Sequence, residues 1–164
     1  MKKFFIIAAA ALLTLVSCTK EASLDGKWNA PRHEENPDDI ALSITFKGEN
    51  LDLYICSYGW HFVGTYTYAD GVIKYNISKG YAALTYVEKD ESGKIISYSG
   101  GIESIDHKTL ELNPGYDWYD MLDYRPDLYE EYTESLSSFS FEMIGNDKAK
   151  SNILGMGGTF TKVK

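Results

Sequence analysis

The sequence predicts an all-β fold, an antiparallel up-and-down β-barrel of about eight to ten strands with a short helical insert, on three observations. Apolar and polar residues alternate through most of the chain after Leu24, the period of a half-buried strand. Glycine and aspartate turn signals recur at short, even intervals between these runs. The four prolines fall in two irregular segments, Pro31 with Pro37 and Pro114 with Pro126, so the stretches between them are free to donate to a strand ladder. A two-sheet sandwich fits the same spacing and stays open as the alternative. Closure is favoured because it removes exposed edges, and no helix-period segment is at hand to cover an open face.

Before the domain comes a leader. Lys2 and Lys3 precede thirteen uncharged residues, Phe4 to Val16, the length of a signal core and short of the roughly 20 residues of a membrane span. Leu15-Val16-Ser17-Cys18 resembles the lipobox of bacterial lipoproteins. That resemblance implies a signal peptide over 1–17, acyl chains such as palmitate on Cys18, a lipidated tether over 18–23 and a domain over 24–164. Thr19 after the acylated cysteine implies, by the same resemblance, the outer membrane, with the periplasmic and surface faces both open.

Removal of the leader leaves 147 residues with 14 basic and 24 acidic side chains, a formal charge of −10. Such a surface excludes nucleic acid as a partner and disfavours a bare anionic membrane. Attachment then comes from the acyl chains, each buried methylene contributing about 0.8 kcal/mol. With Cys18 acylated only Cys56 remains, so no internal disulfide can form, and its apolar neighbours mark it as a small buried hydrophobe.

Within the domain, Ile40, Leu42, Ile44 and Phe46 share one strand face. Gly48-Glu49-Asn50 reverses the chain into Leu51, Leu53 and Ile55, completing a hairpin. Trp60, Phe62, Gly64, Tyr66 and Tyr68 form the next face, the glycine marking a bend or a close backbone approach. Asp70-Gly71 turns into Ile73, Tyr75 and Ile77, and Gly80 precedes a separate strand from Tyr81 to Val87. Further strands are expected at Ile95–Ser99, Ile102–Ile105, Thr109–Leu112, Ser138–Ile144 and Gly158–Val163.

Gly26-Lys27-Trp28 at the head of the first strand resembles the Gly-x-Trp signature of the lipocalin and wider calycin folds. The runs Gly64-Thr65-Tyr66-Thr67-Tyr68 and Gly157-Gly158-Thr159-Phe160-Thr161 resemble the lipocalin-like domains of bacterial lipoproteins. The resemblance implies a barrel whose closed end is packed by the tryptophan and whose interior takes a small hydrophobic ligand. The chain departs from typical secreted members in lacking their Thr-Asp-Tyr turn and long C-terminal helix.

The insert, 113–137, departs most from a plain barrel. Between Gly115 and Glu134 it carries seven acids against Arg125 alone, with six interleaved aromatics. Trp118, Met121 and Leu122, and then Leu128, Tyr129 and Tyr132, fall at helical spacing, which predicts two short helices broken at Pro126, with Asp127 as a cap. Three readings compete: a cover for one mouth of the barrel with solvated acids, an aromatic rim for a glycan, peptide or protein, and a carboxylate site at Asp123 and Asp127.

His33, His61 and His107 lack metal-ligand spacing, and no serine stands in a nucleophile motif. The chain is therefore read as a non-enzyme without a cofactor or metal. The candidate ligand-contacting residues are Trp60, Tyr66, Tyr68, Tyr75, Trp118 and Tyr129. The expected function is an envelope lipoprotein that binds a small amphipathic or hydrophobic ligand. The alternative is an interaction module that presents the acidic aromatic insert to an envelope protein or glycan.

Overall fold

A computed structural model describes residues 23–155 and 157–164; the expected signal peptide, the expected lipidation at Cys18 and the expected tether fall outside the described residues. The strands are β1 (Gly26–His33), β2 (Asn36–Lys47), β3 (Asn50–Ile55), β4 (Trp60–Ala69), β5 (Val72–Lys89), β6 (Ile95–Gly100) and β7 (Asp117–Asp120). Helices α1 (Met121–Tyr124) and α2 (Pro126–Leu136) follow, then β8 (Ser138–Met143), β9 (Lys148–Ser151) and β10 (Gly158–Lys162). Eight of these strands form a ring in the order β1, β2, β3, β4, β5, β8, β9, β10, closed by β10 against β1, and every pairing is antiparallel. This is the expected barrel, with β6 and β7 added to the far half of β5.

The turns explain the short hairpins. Asp70 and Gly71 both take positive φ, 52° and 76°, the pair that a two-residue turn needs to match strand twist. Gly64 is a close approach: a Cβ there would lie 2.1 Å from the Asn76 carbonyl oxygen. At that point the β4–β5 register jumps from Val63↔Lys79 to Gly64↔Ile77, leaving Ser78 unopposed with its hydroxyl donating to the Val63 carbonyl at 3.0 Å. This bulge changes which residues face inward, from Ile73 and Tyr75 below it to Ala82 and Leu84 above. The broken alternation therefore belongs to one strand, not to two strands parted at Gly80.

Other expectations are corrected. The segments 102–105 and 109–112 are turns joined by one bridge, Ile105↔Leu112. There Asp106 accepts from the backbone N–H groups of Lys108 and Thr109, both at 2.8 Å, a local arrangement that competes with a ladder. Pro31 and Pro37 lie inside β1 and β2, where register shifts around Pro31 absorb the missing donor. Trp118 belongs to strand β7, and β9 was not foreseen. The helices do break before Pro126, but Asp127 is not a cap: it lies in the first turn of α2, paired with Arg125, and α2 has no side-chain cap, whereas α1 is capped by Asp120, which accepts from the Leu122 N–H at 3.0 Å.

The barrel interior is full. Trp28, Phe46, Phe62, Phe141 and Phe160 are essentially inaccessible, as are Ile44, Leu51, Leu53, Ile55 and Ile73. Phe141 makes angled ring contacts with Trp28, Phe46 and Phe160 at centroid distances of 5.5, 5.3 and 5.5 Å. Burying each such side chain contributes about 2–3 kcal/mol. Trp28 packs the end where the chain enters: its indole N–H donates to the Leu24 carbonyl at 2.7 Å, and the Lys162 ammonium lies 5.2 Å from its ring centre.

The two ends of the barrel differ. At the end where the described chain begins, next to the expected tether and called the tether end below, lie Ser23, the β2–β3, β4–β5 and β8–β9 turns and the end of β10, linked by Gly48 N–H to Asp25, Lys162 to Ser23, and Phe141 N–H to Gly71. Pairing of β8 with β5 is confined to Val72–Lys74, beside the β4–β5 turn, and toward the far end, where the two strands part, α1 and α2 fill the gap. Met121 and Leu136 are buried there, with Leu128, Tyr129 and Tyr132 packed on the core.

Candidate functional site

The six candidate residues do not converge on one place, although Tyr66 and Tyr75 are cross-strand partners on β4 and β5 and together line a groove of about 420 Å³. Tyr75 is inside the barrel, its hydroxyl donating to the Leu51 carbonyl at 3.0 Å, and burial pushes that hydroxyl's pKa up. Its polar tip is thus already used. Tyr66 and Tyr68 are half-buried at the tether end, where Tyr66 meets Phe46 at 4.9 Å. Trp118 lies on the outer wall of the barrel beside Tyr54 and His61. Only Trp60 and Tyr129 belong to the far end.

On the outer wall, Tyr54 stacks on His61 at 4.0 Å and 9°, and Trp118 covers the imidazole from β7. The buried His61 Nε2 has no partner among the described residues, and desolvation pushes its pKa down to about 4. This cluster fastens β7 to the barrel and holds His61 neutral. Nothing in it resembles a base aligned to a nucleophile.

The far end carries one of several concave surfaces, the one with the most aromatic side chains exposed beside it. A groove of about 560 Å³ lies between α2, the start of β8 and the 153–155 turn, lined by Tyr58, Tyr132, Ser135, Phe139, Asn152 and Leu154 among others. Tyr58 is exposed and stacks on Trp60 at 4.7 Å, while Tyr132 meets Trp60 edge-on at 4.4 Å. The Asn152 carboxamide oxygen accepts from Ser140 N–H at 2.8 Å and Ser140 Oγ at 2.9 Å, which fixes the amide; its NH₂ has no partner among the described residues and can donate to a ligand. Leu154 takes φ 51°, a left-handed conformation that costs a side-chain-bearing residue about 1–3 kcal/mol.

Tyr132 was visible in sequence as part of the α2 stripe. Asn152 and Leu154 were not, since only the antiparallel pairing of β8 with β9 brings the turn after β9 beside the helix. The corner of α1 and α2 is held by the Arg125–Asp127 ion pair at 2.7 Å, which keeps the Asp127 pKa at about 2, and by Tyr98 against Tyr124 at 4.8 Å. The Asp127 carboxylate, the expected partner of Asp123 in a carboxylate site, is thereby engaged by Arg125. Cys56 is fully buried with its thiol pushed up to about 12. Among the described residues no group of three or more His, Cys, Asp or Glu side chains is placed to hold a metal, and no helix is long and apolar enough to cross a membrane. No protein-family model, curated protein or solved structure matches the chain.

Proposed function

We propose that this protein is a lipid-anchored component of the cell envelope, without enzymatic activity, that binds a small amphipathic ligand in the groove at its far end. The observation that carries this reading is the contrast between a lumen filled by buried aromatic and aliphatic side chains and a groove with a mixed lining. Tyr58, Tyr132 and Phe139 offer apolar ring surface; Ser135, Ser138 and the oriented Asn152 amide offer hydrogen bonds, a combination suited to a ligand with one apolar and one polar side. The lipocalin-like barrel serves here as a rigid mount for the groove.

A thermal-shift titration with a panel of amphiphiles, run on the native protein and on Tyr132→Ala, tests this. Saturable stabilisation that Tyr132→Ala abolishes is expected. A panel without effect, or stabilisation untouched by Tyr132→Ala, contradicts it. One observation favours the second reading, an interaction module: Asp127, Glu130, Glu131 and Glu134 make α2 an exposed acidic face without a base of its own. That face suits a basic protein partner.

A further inference from the structure

The fold segregates the charge of the domain. Residues 23–31, 40–78 and 137–164, which build the tether end and the walls next to it, hold six acids and seven lysines. Residues 32–39 and 79–136, which build the far end and its additions, hold seventeen acids and six bases. The net −10 of the described chain is therefore a far-end property, and the end from which the tether leaves is close to neutral with an excess of lysine.

The same end exposes Val72, Ile144 and Val163, with Tyr66 and Tyr68 half-buried between its turns. Apolar side chains among tyrosines and lysines suit the headgroup layer of a bilayer, where lysine stems lie along apolar surface and their ammonium groups meet lipid phosphate. Chain length adds a second constraint. The five steps from Cys18 to Ser23 reach at most about 18 Å, so an acylated Cys18 keeps this end beside the membrane.

We propose that the tether end of the barrel lies on the bilayer surface, with Lys74, Lys148 and Lys164 facing lipid phosphate and Val72 and Ile144 at the headgroup boundary. This rests on the anchored reading given above. The acidic far end does not oppose it: β2 alone spans about 40 Å, several times the screening length of about 8 Å at physiological salt. The groove then faces away from the membrane.

The test uses the full chain, exported, acylated and reconstituted in vesicles of phosphatidylethanolamine and phosphatidylglycerol that carry a headgroup-spin-labelled lipid. Ile144→Cys, Glu131→Cys and Ile96→Cys are each labelled with a thiol-reactive fluorophore; all three positions are exposed, and the buried Cys56 does not compete. Several-fold stronger quenching at position 144 than at 131 and 96 is expected, weakened by Lys148→Glu with Lys164→Glu. Equal quenching at the three positions, or strongest quenching at 96, overturns the proposal while leaving the anchor intact. A chain that carries no acyl mass and does not float with the vesicles overturns the anchored reading, and this proposal with it.

Discussion

His61 shows how one residue reports the packing around it. Burial between Tyr54 and Trp118 lowers its pKa from 6.5 to about 4. Between those values the unfolded chain binds a proton that the folded chain refuses, so stability is whole above pH 6.5 and falls as pH drops through the window. The loss at pH 4 is on the order of 3 kcal/mol. His61→Phe removes this window while keeping the stack, so its urea midpoint is expected to change less between pH 7 and pH 4.5 than that of the native chain. Identical pH dependence in the two proteins would contradict the placement of His61. Tyr75 makes a smaller claim: Tyr75→Phe leaves the Leu51 carbonyl without its side-chain donor and is expected to cost about 1 kcal/mol in urea unfolding. No loss would mean that the hydroxyl is not held inside the barrel.

At the scale of elements, the β4–β5 bulge and the packing of α2 rest on two glycines with different neighbours. A Cβ at Gly64 meets a backbone carbonyl, whereas at Gly80 it meets the ring edges of Phe62 and Tyr129 at about 3 Å. Gly80→Ala is expected to cost about 1–3 kcal/mol by pressing on α2, and Gly64→Ala more, since backbone cannot step aside. Melting temperatures of the two variants check this order. The free side of β6 is a separate liability. Ile95 to Gly100 contains no charge and no proline, Ile96 and Tyr98 are exposed, and β5 is the only described strand that pairs with it. Ile96→Lys is expected to reduce concentration-dependent association measured by sedimentation. The sequence made the hairpins legible because Asp70-Gly71 and the runs around Gly48 have a strict period of two. It hid β7, because Trp118, Met121 and Leu122 also satisfy a helical period, and it hid the continuity of β5, because an unopposed Ser78 breaks the alternation without ending the strand.

Over the whole molecule, inward-facing positions could be read from the sequence, and with them the barrel. Their destinations could not. Trp60, Tyr75 and Trp118 all look alike as aromatics on strand faces, yet closure of the sheet sends them to the far end, the lumen and the outer wall. The net charge misled in the same way, because a sum over the chain conceals that the excess of acids lies on one end. The central claim is that the lumen is filled by the protein's own side chains and that binding takes place outside it. Native mass spectrometry of the domain from Ser23 onward, exported behind a cleavable leader and purified without detergent, tests this most directly. The account predicts the mass of the bare chain. A reproducible excess mass that survives gentle ionisation and disappears on denaturation, unaltered by Tyr132→Ala, would place a ligand inside the barrel and contradict it.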